Sequence, residues 1–149
     1  MRDVIQIFTG MLGAIGFALL FHVRKEKLIA VAFGGALSWA VYLIAVRFQG
    51  EVAFGLFAST VTVAFLAEVL ARVMKTPVTI LLVPMLIPLI PGGDLYYTTS
   101  YLVRGQMDAC IARLELLVQS AGAIAFGILC VTCLFQVITR LGWKVKRQK

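Results

Sequence analysis

The sequence predicts an all-α integral membrane protein of five transmembrane helices, the fourth of them broken. Three observations carry this. The chain of 149 residues is 61% hydrophobic and only 14% charged, with a mean hydropathy of +0.97, too little polar surface for a soluble domain of this length. The apolar residues come in blocks long enough to cross a bilayer. One stretch, "LIPLIPGGDLYY" at Leu86–Tyr97, holds two prolines, two glycines and an acid where an unbroken helix would be expected.

The spans follow in order within one domain covering residues 1–149. Val4–Phe21 is 18 residues without a charge. It runs into "HVRKEK" rather than a small-residue cleavage site, so it reads as a retained helix and not a signal peptide. Leu28–Val46 is 19 residues without a charge, and Val52–Ala71 holds one acid, Glu68, in 20. The last span, residues 114–139, opens on Glu115 and Gln119 and includes 24 uncharged residues at Leu116–Thr139. Between these lies Pro77–Val103, the interrupted fourth span.

Charge decides whether that segment crosses. With five spans, Arg2, Arg47, Arg104 and Arg113 share one side, four basic residues. The other side holds Arg24, Lys25, Lys27, Arg72, Lys75 and the tail Arg140, Lys144, Lys146, Arg147 and Lys149, ten in all. With four spans and a re-entrant segment the sides are equal at seven. Only five spans give a bias, which places the N-terminus outside and the C-terminus in the cytoplasm. The net charge of +7 is thereby spent on the inner membrane surface, and nucleic-acid binding is not expected.

The broken span has a mechanical reading. Pro77 suits a first helical turn. Pro84, Pro88 and Pro91 each remove a backbone donor and crowd the carbonyl four residues back. Gly92-Gly93 then releases the chain from helical dihedrals, and Asp94 is a good N-cap for a new helix. The expectation is a half-helix Val78–Leu89, a break at Ile90–Gly93 near mid-membrane or slightly outward, and a second half-helix Asp94–Val103. Irregular backbone at that depth survives where it faces protein or a water-filled cavity. The second half-helix would aim its N-terminal amides at an anionic group there. Such discontinuous helices build the midplane sites of secondary transporters; the alternative is a kink with a structural role alone. The expected cradle is Pro91, Gly92, Gly93 and Asp94, lined by Tyr96 and Tyr97, with Tyr101 as an interfacial anchor.

Glu68 precedes Arg72 by four residues, the spacing of an ion pair on one helix; the alternative is a proton-coupling carboxylate. Ser59, Thr60 and Thr62 either bond helix carbonyls or line a path. Cys130 and Cys133, in C-V-T-C within the last span, and Cys110 read as small apolar fillers. With His22 the lone histidine, no metal set is expected, and no cofactor or catalytic constellation either. Gly10, Ala14 and Ala18, then Ala30, Gly34 and Ser38, then Ala123 and Gly127, form small-residue faces that allow close helix contact, within the chain or against a partner.

"ARVMKTPVTILLVPMLIPLIPGGDLYYT" resembles the signature of the threonine/serine exporter family, in the short form equivalent to the C-terminal half of single-chain exporters. The shared pattern is Lys75, Thr76-Pro77, Pro84, Pro88, Pro91-Gly92 and Tyr96. The resemblance implies a bacterial inner-membrane exporter working with a separate membrane subunit. The cargo it implies is threonine and serine, or dicarboxylates such as succinate. Asp94 stands where the family pattern more often has a small residue. A zwitterion could set its ammonium near Asp94, whereas a dicarboxylate would be repelled, so an amino acid is expected, exported by alternating access on the proton gradient. The other reading is an accessory or assembly subunit that transports nothing; a homo-oligomer is also open.

Overall fold

The computed structural model describes residues 1–146, with side chains through Thr139. Six helices follow in order: α1 Arg2–Leu20, α2 Lys25–Gln49, α3 Val52–Val73, α4 Val78–Leu86, α5 Gly92–Val103 and α6 Met107–Lys146. A single 3-10 turn, Ile87–Leu89, follows α4. The side chains of the basic tail, Arg140 to Lys149, lie outside the described residues.

The first three helices form an up-and-down bundle whose two ends are fixed by polar ties. At the end that carries the N-terminus, Arg47 donates to the Asp3 carboxylate at 2.8 Å. At the opposite end, Lys27 Nζ donates to Thr76 Oγ1 at 2.6 Å, joining the α1–α2 turn to the α3–α4 turn. The small-residue faces pack within the chain. A Cβ on Gly35 would run into Ala14 of α1, and one on Gly34 into the Met85 side chain of α4. A Cβ on Gly127 of α6 would stand 3.0 Å from Thr60 of α3. These helices meet at backbone distance because their contact residues carry almost no side chain.

α6 runs parallel to α3. Phe57 stacks on Phe126 with ring centroids 5.8 Å apart, and Phe65 meets Phe135 at 5.4 Å, so rising numbers pair with rising numbers. α6 therefore starts at the end where α3 starts. The chain leaves α3 at the opposite end, so the broken segment between them must traverse the bundle. Its two halves, Val78–Leu89 and Gly92–Val103, are bent by 60°. This is a broken fifth crossing alongside four continuous helices long and apolar enough to span a membrane.

α4 is the centre of the bundle. Leu81, Leu82, Pro84, Met85 and Leu86 are all buried against α1, α2 and α3. α5 leaves that core and packs chiefly on the first turns of α6. α6 begins at Met107, earlier than the apolar pattern predicts, and its span segment is 33 residues, about 50 Å at 1.5 Å per residue. That exceeds the roughly 30 Å of hydrocarbon, which leaves the first turns of α6 to accompany α5.

Candidate functional site at the helix break

The break is built from proline chemistry. Pro84, Pro88 and Pro91 each lack the amide that would continue the helix. Two of the carbonyls so released find shorter-range donors: Ile87 N–H reaches Pro84 O, and Ile90 N–H reaches Ile87 O at 3.2 Å. The tightened turn ends at Ile90, which is extended (φ −63°, ψ 125°), followed by Pro91 (φ −76°, ψ 58°). The break is thus Ile90–Pro91, narrower than expected. Gly92 and Gly93 are not its loose joint; they are the first two residues of α5. Pro88 marks its depth. A Cβ on Gly10 would lie 3.5 Å from Pro88 and 3.4 Å from Trp39, and both residues sit more than two turns inside their helices.

Asp94 is also not the N-cap. The helix starts two residues earlier, at Gly92, behind Pro91 and without a side-chain cap, because proline already fixes φ at the entry to the first turn. Asp94 occupies the third helical position, where its charge still favours the helix N-terminus. Its carboxylate accepts from Arg113 Nη1 at 3.1 Å, with the two side chains 27% and 42% exposed. Arg113 also lies 5.4 Å from the centre of the Tyr97 ring. Tyr97 in turn packs edge-on against Tyr96 at 5.4 Å and stacks with Tyr101 at 6.3 Å. Tyr101 is therefore part of an aromatic row. Tyr96 points away from the ion pair, into a shallow groove shared with Thr99, Ser100, Val103 and Arg104.

What the break offers is an uncovered amide end. Nothing lies within 4 Å of where a Cβ on Gly92 or Gly93 would be. Gly92 N–H is used on Ile90 O, and Leu95 N–H on Pro91 O. Among the described residues the Gly93 and Asp94 amides have no backbone partner outside the helix and no side-chain cap. Two bare donors beside a guanidinium–carboxylate pair can bind a carboxylate on the amides and a second polar group on the pair. Gly92 and Gly93 are exposed, whereas Pro91 and Asp94 are half-buried.

Two contributors escape sequence reasoning. Arg113 lies 19 positions from Asp94, and no local spacing in the sequence pairs the two. Trp39 packs on Tyr42 at 5.0 Å and keeps a buried indole N–H with no acceptor among the described residues.

The residues read as a threonine/serine exporter signature lie on this break, and the family profile described as "Threonine/Serine exporter, ThrE" matches residues 6–134. The chain belongs to the threonine/serine exporter family. No curated protein and no solved structure matches it. This exporter is accordingly a multi-pass membrane transporter whose matched region spans all five crossings.

Other expected residues fall elsewhere in the exporter. Glu68 is buried at the opposite end of α3 and pairs with Arg72 at 2.6 Å, as the four-residue spacing predicts; it is not brought together with Asp94. Ser59 donates to the Ser38 carbonyl of α2 and Thr62 to Ala58 O at 2.9 Å, whereas buried Thr60 Oγ1 has no partner among the described residues. Cys110 is buried, but Cys130 and Cys133 are exposed and so are not core fillers, because the C-V-T-C turn of α6 faces out of the bundle. Among the described residues no group of side chains could hold a metal ion.

Proposed function

We propose that the chain is one subunit of a bacterial inner-membrane secondary transporter that exports threonine and serine as a proton-coupled antiporter. It works with a separate membrane subunit equivalent to the N-terminal half of single-chain exporters. The N-terminus is outside and the C-terminus cytoplasmic. One observation carries the two-subunit reading: the amide end of α5 faces open space, with Gly92 and Gly93 uncovered. Bare amides at membrane depth are tolerated only against protein or water, so a second polypeptide closes the cradle. Pro91 sets the turn, Gly92 and Gly93 leave room for a carboxylate to approach, and Asp94 with Arg113 receives the remaining polar group. Tyr96 and Tyr97 line the approach, and Asp94 or Glu68 is the coupling acid.

A second reading is a dicarboxylate exporter, and Arg113 favours it. Asp94 is charge-compensated, so the repulsion expected of a lone carboxylate is removed. Efflux of labelled threonine from proteoliposomes under an imposed proton gradient separates the readings, with succinate as competing cargo. The chain would be tested alone and with its partner. Threonine efflux only with the partner is expected. Succinate efflux in its place transfers the function to dicarboxylates, and efflux of neither by a folded complex leaves an accessory subunit.

A further inference from the structure

A cleft lies between α3 and α6, at the bundle end opposite the N-terminus. Its volume is about 380 Å3, and Glu68, Arg72, Thr132, Phe135, Gln136 and Thr139 line it, a size within the usual range of small-molecule sites. Thr132, Gln136 and Thr139 stand at i, i+4 and i+7 of α6 and form a polar stripe toward the end of its span. Glu68 and Arg72 face it from α3. The ion pair has a structural job: Arg72 uses Nη1 on the Glu68 carboxylate and carbonyl, each at 2.6 Å, and its guanidinium stacks 4.4 Å from the Phe135 ring centre, tying α3 to α6. That job leaves much unused. The other guanidinium nitrogens of Arg72 make no hydrogen bond among the described residues, and its side chain is half exposed. Thr139 bonds its own helix at Phe135 O, but Thr132 and Gln136 have no hydrogen-bond partner among the described residues.

We propose that this cleft binds a small hydroxy amino acid at the cytoplasmic end, as a loading site distinct from the helix break. The free edge of the Arg72 guanidinium takes the carboxylate. The Glu68 carboxylate, beside Arg72 at 2.6 Å, takes the ammonium. Thr132 and Gln136 exchange hydrogen bonds with the side-chain hydroxyl. The charges match a zwitterion in sign and number, so binding leaves no net charge in the cleft. The proposal rests on the amino-acid exporter reading and adds where cargo first docks.

The test is cysteine protection, which needs no transport. Thr139→Cys, at the rim and not used for recognition, is placed in a chain whose three cysteines are replaced by alanine. The chain is reconstituted with its partner in neutral-lipid vesicles, and maleimide labelling is followed. Threonine or serine is expected to slow labelling several-fold, and alanine less. Gln136→Leu is expected to raise the half-protecting threonine concentration roughly tenfold, the loss of one hydrogen bond to a charged or strongly polar ligand. Arg72→Leu is expected to abolish protection, and Gln136→Leu stands in should that variant fail to fold. Unchanged labelling while threonine efflux continues overturns the loading site and leaves the exporter reading intact. Protection by anionic phospholipid but not by amino acids overturns it in favour of a lipid headgroup site. Protection by succinate alone overturns the zwitterion assignment. Absence of both protection and efflux overturns the site together with the exporter reading.

Discussion

The two halves of the broken span are neighbours in sequence and opposites in environment. α4 is a nine-residue half-helix sunk in the bundle, with five of its residues buried. α5 is a twelve-residue half-helix with Thr98 as its buried residue, and it leans on α6. α4 is apolar throughout apart from Thr79, whereas α5 carries Asp94, three tyrosines, two threonines and a serine. The difference teaches what the prolines do. They end a helix where the packing is tightest and let the next one start at a new angle, with its amides free of the core. Buried packing is concentrated in α4 and polar side chains in α5.

Substitutions that press on this contrast should separate stability from transport. The largest stability loss is expected on the α4 side. Gly34→Leu must displace Met85, which is fully buried, and overpacking of that kind costs about 1–3 kcal/mol or more. A thermal melt of the detergent-solubilised protein should fall sharply, and a wild-type melting temperature would deny α4 its central place. Gly35→Leu, against Ala14, should behave alike.

Arg113→Ala comes next. It leaves Asp94 unpartnered beside the helix end, at a stability cost of about 1 kcal/mol or less given the exposure of both groups, yet export should fall severely. Exchanging the pair, Asp94→Arg with Arg113→Asp, should restore the melt but not transport, because the α5 N-terminus would then face a cation. Recovery of full export in the exchanged variant would reduce the pair to a tie between α5 and α6. The smallest effect belongs to Ser59→Ala, which removes one interhelical hydrogen bond to Ser38 O, about 1 kcal/mol. Its melt should shift slightly while export is kept.

Much of this architecture is legible in the sequence. Uncharged blocks mark the continuous spans, because a bilayer demands about 20 apolar residues per crossing. Proline spacing places the half-helices to within two residues. The ion pair of Glu68 and Arg72 follows from helical periodicity alone. What could not be read was longer in range. The partnership of Asp94 with Arg113 depends on the angle at which α5 leaves the break, which no local pattern encodes. The helical state of Gly92 and Gly93 was hidden because glycine is permissive: Pro91 sets the helix start, and the glycines follow it. Cys130 and Cys133 face outward because the face of α6 toward α3 is set by Gly127 and Val131, both buried. Hydrophobicity alone cannot distinguish that face from one turned to lipid.

The central claim is that the glycine-headed start of α5 is an open binding surface and not a packing element. Gly92→Leu tests it most directly, since a Cβ there would have open space around it. The variant would be reconstituted with the partner subunit, and its melting temperature and threonine efflux measured on the same preparation. An unchanged melt with efflux lost is the predicted result. Efflux at the wild-type rate from an equally stable complex would contradict the account.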